Sequence, residues 1–365
     1  MNPSTLVHRK SPIQVHTGGQ RDGDRTQLAR TTLISLSVLL LLSVLVGLAT
    51  GPSGFFVKEL GQYLVGAEMS VRDRVILETI RMPRVGLGIL VGSALAVAGA
   101  VMQGLFRNPL ADPGIVGVSS GASLGASAVI VLGASYLADV EAVLGVFTLP
   151  VAAFLGALAT TALLYRIATA GGHTSIATLL LGGIAIAAFT MALTGILVFM
   201  ADDLQLRDLT FWQLGSLAGA TWQKCLSASP AILAILLLCP FLARGLNALA
   251  LGEASAHHMG VSVQRFKNWA IVAVAAATGA AVAVSGGIGF VGIVAPHILR
   301  LFMGPDNRYL LIGSGLLGAS LLLLCDAVSR TIVAPAELPI GIITALVGAP
   351  FFLWILLKRR SILGG

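Results

Sequence analysis

Charge is what this 365-residue chain has least of. Asp, Glu, Lys and Arg make up 11% of it, against 56% hydrophobic residues. A soluble protein of this length needs more charge to cover its surface, so that class is excluded. Cysteine is almost absent. Cys225, Cys239 and Cys325 show no metal-ligand spacing, and each falls in or beside an apolar run, where it reads as a packing residue. There is no G-x-x-x-x-G-K-[ST] phosphate loop, and none of the five lysines follows a glycine. The chain therefore carries no P-loop nucleotide site. Ionisable residues avoid the middle of the apolar runs; Asp326 and Glu337 lie near the ends of two of them. This counts against an ion-coupled secondary transporter or proton pump, although backbone carbonyls can bind sodium without a carboxylate. The six histidines (8, 16, 173, 257, 258 and 297) all fall at or beyond the expected cytoplasmic boundary. No haem-ligand pair, proton relay, Ser/His pair or carboxylate cluster stands at depth, which disfavours a membrane-embedded enzyme.

What is there is apolar sequence in stretches near 20 residues, the length a helix needs to cross ~30 Å of hydrocarbon. Ten spans are expected, at about 31–50, 84–103, 114–131, 144–166, 178–200, 226–243, 268–285, 288–302, 309–328 and 338–357. The fold class is an all-α polytopic membrane protein. Residues 1–30 read as a flexible polar tail, 31–358 as the membrane domain and 359–365 as a short end. With both termini cytoplasmic, that side holds 15 of the 23 basic residues and 5 of the 16 acidic ones. The reverse orientation violates the positive-inside rule. The sequence pI of 9.8 thus follows from topology and calls for no nucleic-acid partner.

Glycine is abundant, at 43 residues. Gly117, Gly121 and Gly125 recur every fourth residue, as do Gly88 and Gly92, a spacing that lets helices approach closely in lipid. Three segments are punctuated: "RNPLADPG" (107–114), "SGGIGFVGIVAPHILR" (285–300) and "AELPIGIITALVGAPFF" (336–352). Broken backbone at membrane depth is tolerated where it is buried or lines a cavity. A weak internal echo links "VGSALAVAGAVMQGLF" with "TGAAVAVSGGIGFVG".

The polar stretch "LNALALGEASAHHMGVSVQRFKN" (246–268) separates two apolar runs. Glu253 stands early, where a helix N-terminus favours negative charge, and Gly260 stands where a helix would stop. Ala254, Ala256 and Met259 suit a contact surface. His257 and His258 are adjacent, so on a helix they point ~100° apart and do not readily chelate one ion.

Several long motifs in order, "RMPRVGLGILVGSALAVAGAVMQGLFRNPLADPGIVGVSSGASLG", "LGEASAHHMGV", "GGIGFVGIVAPHILR", "DAVSR" and "AELPIGIITALVGAPFFLWILLK", resemble the FecCD family of ABC importer permeases from about residue 33 to 358. The family moves iron chelates, haem and cobalamin inward. The resemblance implies a ten-span homodimer in the bacterial inner membrane, with broken helices around a central path on its two-fold axis. It implies two cytoplasmic ATP-binding subunits below, which use ATP-Mg, and a periplasmic solute-binding protein above. No cofactor or metal is expected in this chain. By the same resemblance, coupling helices within about 246–265 seat on the ATPase through Leu251, Gly252, Glu253, Ala254, Gly260 and Val261. Arg81, Arg84 and Arg330 match outward-facing arginines that pair with the binding protein, although any arginine at a helix end also snorkels to the interface. Asn108 and Leu110, with Ser175 and Thr178, match the cytoplasmic gate. The segment 202–222 looks more like the haem branch than the cobalamin branch, with Arg207, Phe211 and Trp212 near the mouth of the path. The two aromatics equally suit an interfacial belt. Ferric siderophores are the runner-up substrate.

Overall fold

The structure, a computed structural model, describes residues 25–51, 57–170 and 173–363. It is built almost wholly of helix. In chain order the helices are α1 (Thr26–Ala49), α2 (Val57–Leu64), α3 (Val71–Val75), α4 (Met82–Leu105), α5 (Val118–Tyr136), α6 (Ala138–Leu144), α7 (Thr148–Ala168), α8 (Ile176–Met200), α9 (Asp203–Leu214), α10 (Trp222–Ala250), α11 (Glu253–His258), α12 (Val263–Ser285), α13 (Val291–Met303), α14 (Asn307–Thr331) and α15 (Ile340–Leu363). A π-helical turn, Ile76–Arg81, joins α3 to α4. Two two-residue strands, β1 (Thr169–Ala170) and β2 (His173–Thr174), pair antiparallel ahead of α8.

Among the described residues, seven helical segments are long and apolar enough to cross a membrane. Three shorter apolar helices, Val118–Gly133, Val291–Met303 and Ile340–Trp354, fall where the third, eighth and tenth spans are expected. The 13 residues of α13 rise only ~20 Å, short of a ~30 Å hydrocarbon core. Two expected boundaries move. Residues 1–24 of the tail lie outside the described residues, but its last part is helical, because α1 starts at Thr26. The short end from 359 is also helical as far as Leu363.

α4 lies at the centre, with 83% of its most apolar window buried, and α12 and α14 follow at 72% and 67%. In the outlying α1 and α8 only 17% is buried. Small residues explain the tight centre. A Cβ at Gly92 would stand 2.5 Å from the Gly318 carbonyl oxygen of α14, and one at Gly318 would stand 2.4 Å from that of Gly92. Gly121 and Gly156 make the same reciprocal approach between α5 and α7, and Gly125 meets Ala152. Helices in lipid gain from this closeness, since oil-like solvent gives them no hydrophobic drive to associate. The expected glycine repeat thus packs at Gly121 and Gly125. Gly117 instead has φ +78° and turns the chain into α5.

Two of the three punctuated segments break the helices as expected. After α4, Arg107 has φ +49°; after α12, Gly286 and Phe290 have φ +70° and +67°. The third differs. The break precedes Ile340, and α15 then runs unbroken through Gly348 and Pro350. Gly341 and Gly348 serve contact: a Cβ on either would stand 2.0 Å from the Leu214 carbonyl oxygen or 2.3 Å from Phe290. Breaks at depth must satisfy their own backbone groups. Here Ser216 donates its amide to the Ser285 carbonyl (2.8 Å), and Ile340 donates to Gly215 (3.0 Å). The echoing segments are not equivalent. The first is continuous helix in α4, whereas the second ends α12 and crosses the break. They touch, however, with Gly99 against the backbone of Gly292.

Candidate functional site

At one end of the bundle α11 stands between α10 and α12. Gly252, with φ +116°, turns the chain out of α10, and Gly260, with φ +82°, turns it out of α11. Both values lie where a Cβ is disfavoured, so glycine is needed at each. Leu251, Glu253, Ala254, His257, His258, Met259 and Gly260 are exposed, and Val261 is half-buried. Ala256, fully buried, anchors the helix to the core, so it cannot be a partner contact as its sequence position suggested. Glu253 accepts from Lys267 Nζ at 2.8 Å. Lys267 is itself buried, and this bond fastens α11 to the first turns of α12. Arg107 donates through Nη2 to the Leu249 carbonyl, tying the break after α4 to the end of α10. The result is a short, six-residue platform with an exposed outer face and a clamped inner one.

At the opposite end, α4 and α14 bring charges together inside the protein. Arg84 is 6% exposed, Arg81 3%, Arg330 2% and Asp326 1%. Arg84 bonds Asp326 at 2.9 Å through Nη2 and Glu337 at 2.9 Å through Nη1. Arg330 Nε lies 3.1 Å from Asp326 Oδ2, and its Nη1 and Nη2 donate to the carbonyls of Thr50 (3.0 Å) and Gly47 (3.1 Å). Arg81 donates to the Leu48 carbonyl at 2.7 Å. Two guanidiniums therefore satisfy the last carbonyls of α1, where the helix dipole favours positive charge. The sequence put these three arginines on the surface. The correction is that all three are buried and bonded to their own chain, because three helix ends meet there.

The model of the FecCD transport family matches residues 39–358. The chain belongs to the FecCD transport family. This FecCD chain is 48% identical over 282 residues to a hemin transport system permease protein, HmuU, of Yersinia pestis, covering 77% of this chain and 83% of that one. It is 44% identical over 287 residues to a cobalamin import system permease protein of Halobacterium salinarum, covering 79% and 74%. Among solved structures it is similar to one titled an inward-facing conformation of a putative metal-chelate type ABC transporter. The TM-score there is 0.79 at 30% identity, covering 90% of this chain and 99% of that one.

Elsewhere in the FecCD chain, the gate residues expected from sequence make local bonds. Asn108 Oδ1 accepts the Leu110 amide at 3.0 Å, and Ser175 caps α8 by accepting the Thr178 amide at 3.2 Å. Sequence reasoning missed the side chains that hold the second pair in place. Gln264 Nε2 donates to Thr174 Oγ1 at 2.6 Å and to Asn268 Oδ1 at 2.9 Å, and Tyr165 bonds the same Asn268 oxygen. The first turns of α12 thus grip α11 through Lys267 and the approach to α8 through Gln264. Only the i, i+4 spacing of Gln264 and Asn268 was visible in the sequence. At the charged end, Phe211 and Trp212 of α9 line a recess of about 720 Å³ with Asp208, Lys224 and the start of α10. Phe211 is exposed, and Arg207 lies on the same helix, exposed. His297 also departs from expectation: it is buried midway along α13, edge-on to Phe351.

Proposed function

We propose that this chain is the membrane-spanning permease of an ATP-driven importer that moves an iron-containing chelate inward, and sequence similarity points to haem. The observation that carries this is the family match over residues 39–358, joined to an exposed, glycine-bounded platform at α11. In this reading two copies of the chain enclose the path with their ten helices. The α11 end is cytoplasmic in the inner membrane and receives two ATP-binding subunits, which bind and hydrolyse ATP-Mg. Leu251, Gly252, Glu253, Ala254, Gly260 and Val261 form the coupling contact, and Asn108, Leu110, Ser175 and Thr178 the gate. A periplasmic binding protein docks at the other end. Because Arg81, Arg84 and Arg330 are buried, docking through them requires the charge cluster to open first.

Haem is preferred to cobalamin because identity is higher to the hemin permease, 48% against 44%. The apolar recess with Phe211 and Trp212 suits a flat ring, and Lys224 suits its carboxylates. The test is uptake into vesicles holding the permease, its ATPase and its binding protein. ATP-dependent accumulation of hemin above cyanocobalamin and a ferric siderophore is expected. Accumulation driven by a proton or sodium gradient without the ATPase overturns the importer reading, and preference for either competitor overturns haem.

A further inference from the structure

The α11 end holds a second feature. A cavity of about 690 Å³ opens between the first turn of α1, the last turns of α10 and α13, and the turn into α14. Arg25, Arg300, Asn247 and Asp306 are among its lining residues. Arg300 is the anomaly. Its Nε and Nη2 are buried, and among the described residues neither has a hydrogen-bond partner. Buried polar groups are ordinarily paired, and an unpaired charged one is costly. The carboxylate in the lining is committed elsewhere. Asp306 Oδ1 accepts from Asn247 Nδ2 at 2.7 Å and from the Arg308 amide at 3.0 Å, capping α14. Arg25 lies across Gly304, its Nη1 3.9 Å from where a Cβ there would stand. The cavity therefore presents two guanidiniums to one carboxylate, one oxygen of which is already in use.

Its surroundings indicate which anion fits. The lining itself also carries apolar side chains, Ala29, Leu251, Met303 and Pro305, beside Arg25 and Arg300. Basic and apolar groups in one lining match an amphiphile, and a small soluble anion would leave the apolar part unused. We propose that this cavity binds the headgroup phosphate of an anionic phospholipid in the leaflet that the α11 end faces. Arg300 and Arg25 hold the phosphate, and the apolar part of the lining receives the start of the acyl chains. A guanidinium fork bonds phosphate oxygens in pairs, and basic pockets between membrane helices take such headgroups. The occupant completes the hydrogen bonds that Arg300 lacks and joins the thinly packed α1 to α13.

The test uses the full chain, delipidated in detergent, with dioleoyl phosphatidylglycerol added to the micelles. Native mass spectrometry counts retained lipid, and thermal unfolding reads its effect. Phosphatidylglycerol is expected to bind and raise Tm, whereas dioleoyl phosphatidylcholine and inorganic phosphate at equal concentration are not. Arg300→Gln and Arg25→Gln each weaken the apparent affinity by about tenfold, the scale of one charge-assisted hydrogen bond. Arg207→Gln, exposed at the other end, leaves it unchanged. If Arg300→Gln does not fold, the exposed Arg25 carries the comparison. Equal stabilisation by phosphatidylcholine or by inorganic phosphate overturns the proposal. So does an Arg207→Gln loss as large as that of Arg25→Gln, which would mark diffuse charge attraction.

Discussion

Asp326→Asn removes one charge from the buried cluster while keeping the side chain's shape. The carboxylate is 1% exposed and receives Arg84 Nε and Nη2 together with Arg330 Nε. Without it, two guanidiniums share the site with Glu337 alone, whose side chain is 24% exposed. Stripping one partner from a buried ion pair costs ~3–5 kcal/mol, because the remaining charge stays desolvated. Folding stabilities are only ~5–15 kcal/mol, so the loss is a large share of the whole. The surface pair Arg74–Glu78, 66% and 42% exposed, sets the contrast at ~0–1 kcal/mol. The three free cysteines are all buried, so thiol labelling during heating reports unfolding of the detergent-solubilised chain. Asp326→Asn should label at a markedly lower temperature, and Glu78→Gln should track the parent. Adding Arg84→Gln to Asp326→Asn removes a stranded charge and should recover part of the loss, making the pair of changes less than additive. If Asp326→Asn unfolds alongside Glu78→Gln, or the double change is fully additive, the cluster is not the charge-balanced unit inferred here.

Gly99→Ala should destabilise by ~1–3 kcal/mol, because its Cβ would stand 1.9 Å from the Gly292 carbonyl oxygen; Gly289→Ala, with nothing within 4 Å, should be silent in the same unfolding assay. Glu253→Gln strips the buried Lys267 of its partner, and in the assembled importer it should lower ATP-driven uptake ~5-fold or more while the ATPase still copurifies. Glu253 is one of six proposed contact residues, so its charge alone should matter little to docking, and ATPase association lost in proportion to uptake would refute the linking role. Gly260→Val, at φ +82°, should cost ~1 kcal/mol or more and weaken copurification of the ATPase, whereas Ala at both His257 and His258 should change it little.

The apolar helices were legible because hydropathy over 20 residues is set by the chain alone. Gly260 was legible for a similar reason, since a helix stop is a local event. Depth was not. "RMPR" and "DAVSR" read as surface arginines until three helix ends close over them; the i, i+4 spacing of Asp326 and Arg330 was visible, but no local pattern announces Arg84, 242 residues away, as the second partner of Asp326. Glu253 and Lys267 lie 14 residues apart across a turn, so neither helical nor strand periodicity links them. Ala256 looked like part of a docking face because α11 is too short for its buried side to show as a stripe. The third punctuated segment misled for the opposite reason: Pro350 and Gly348 are breakers in water, but packing against Phe290 holds α15 together there.

The shortness of α13 bears on how the protein is made. A helix of ~20 Å has too few apolar residues to leave the insertion machinery for lipid unaided, and it follows a left-handed break that would lie bare in hydrocarbon. Its shelter is α4, completed some two hundred residues earlier, and α14, which is synthesised afterwards. The hairpin of α12 and α13 must therefore wait at the membrane, partly folded, until α14 emerges. A chain halted just past Met303 should leave α13 reachable from the aqueous side, and one extended through Thr331 should not.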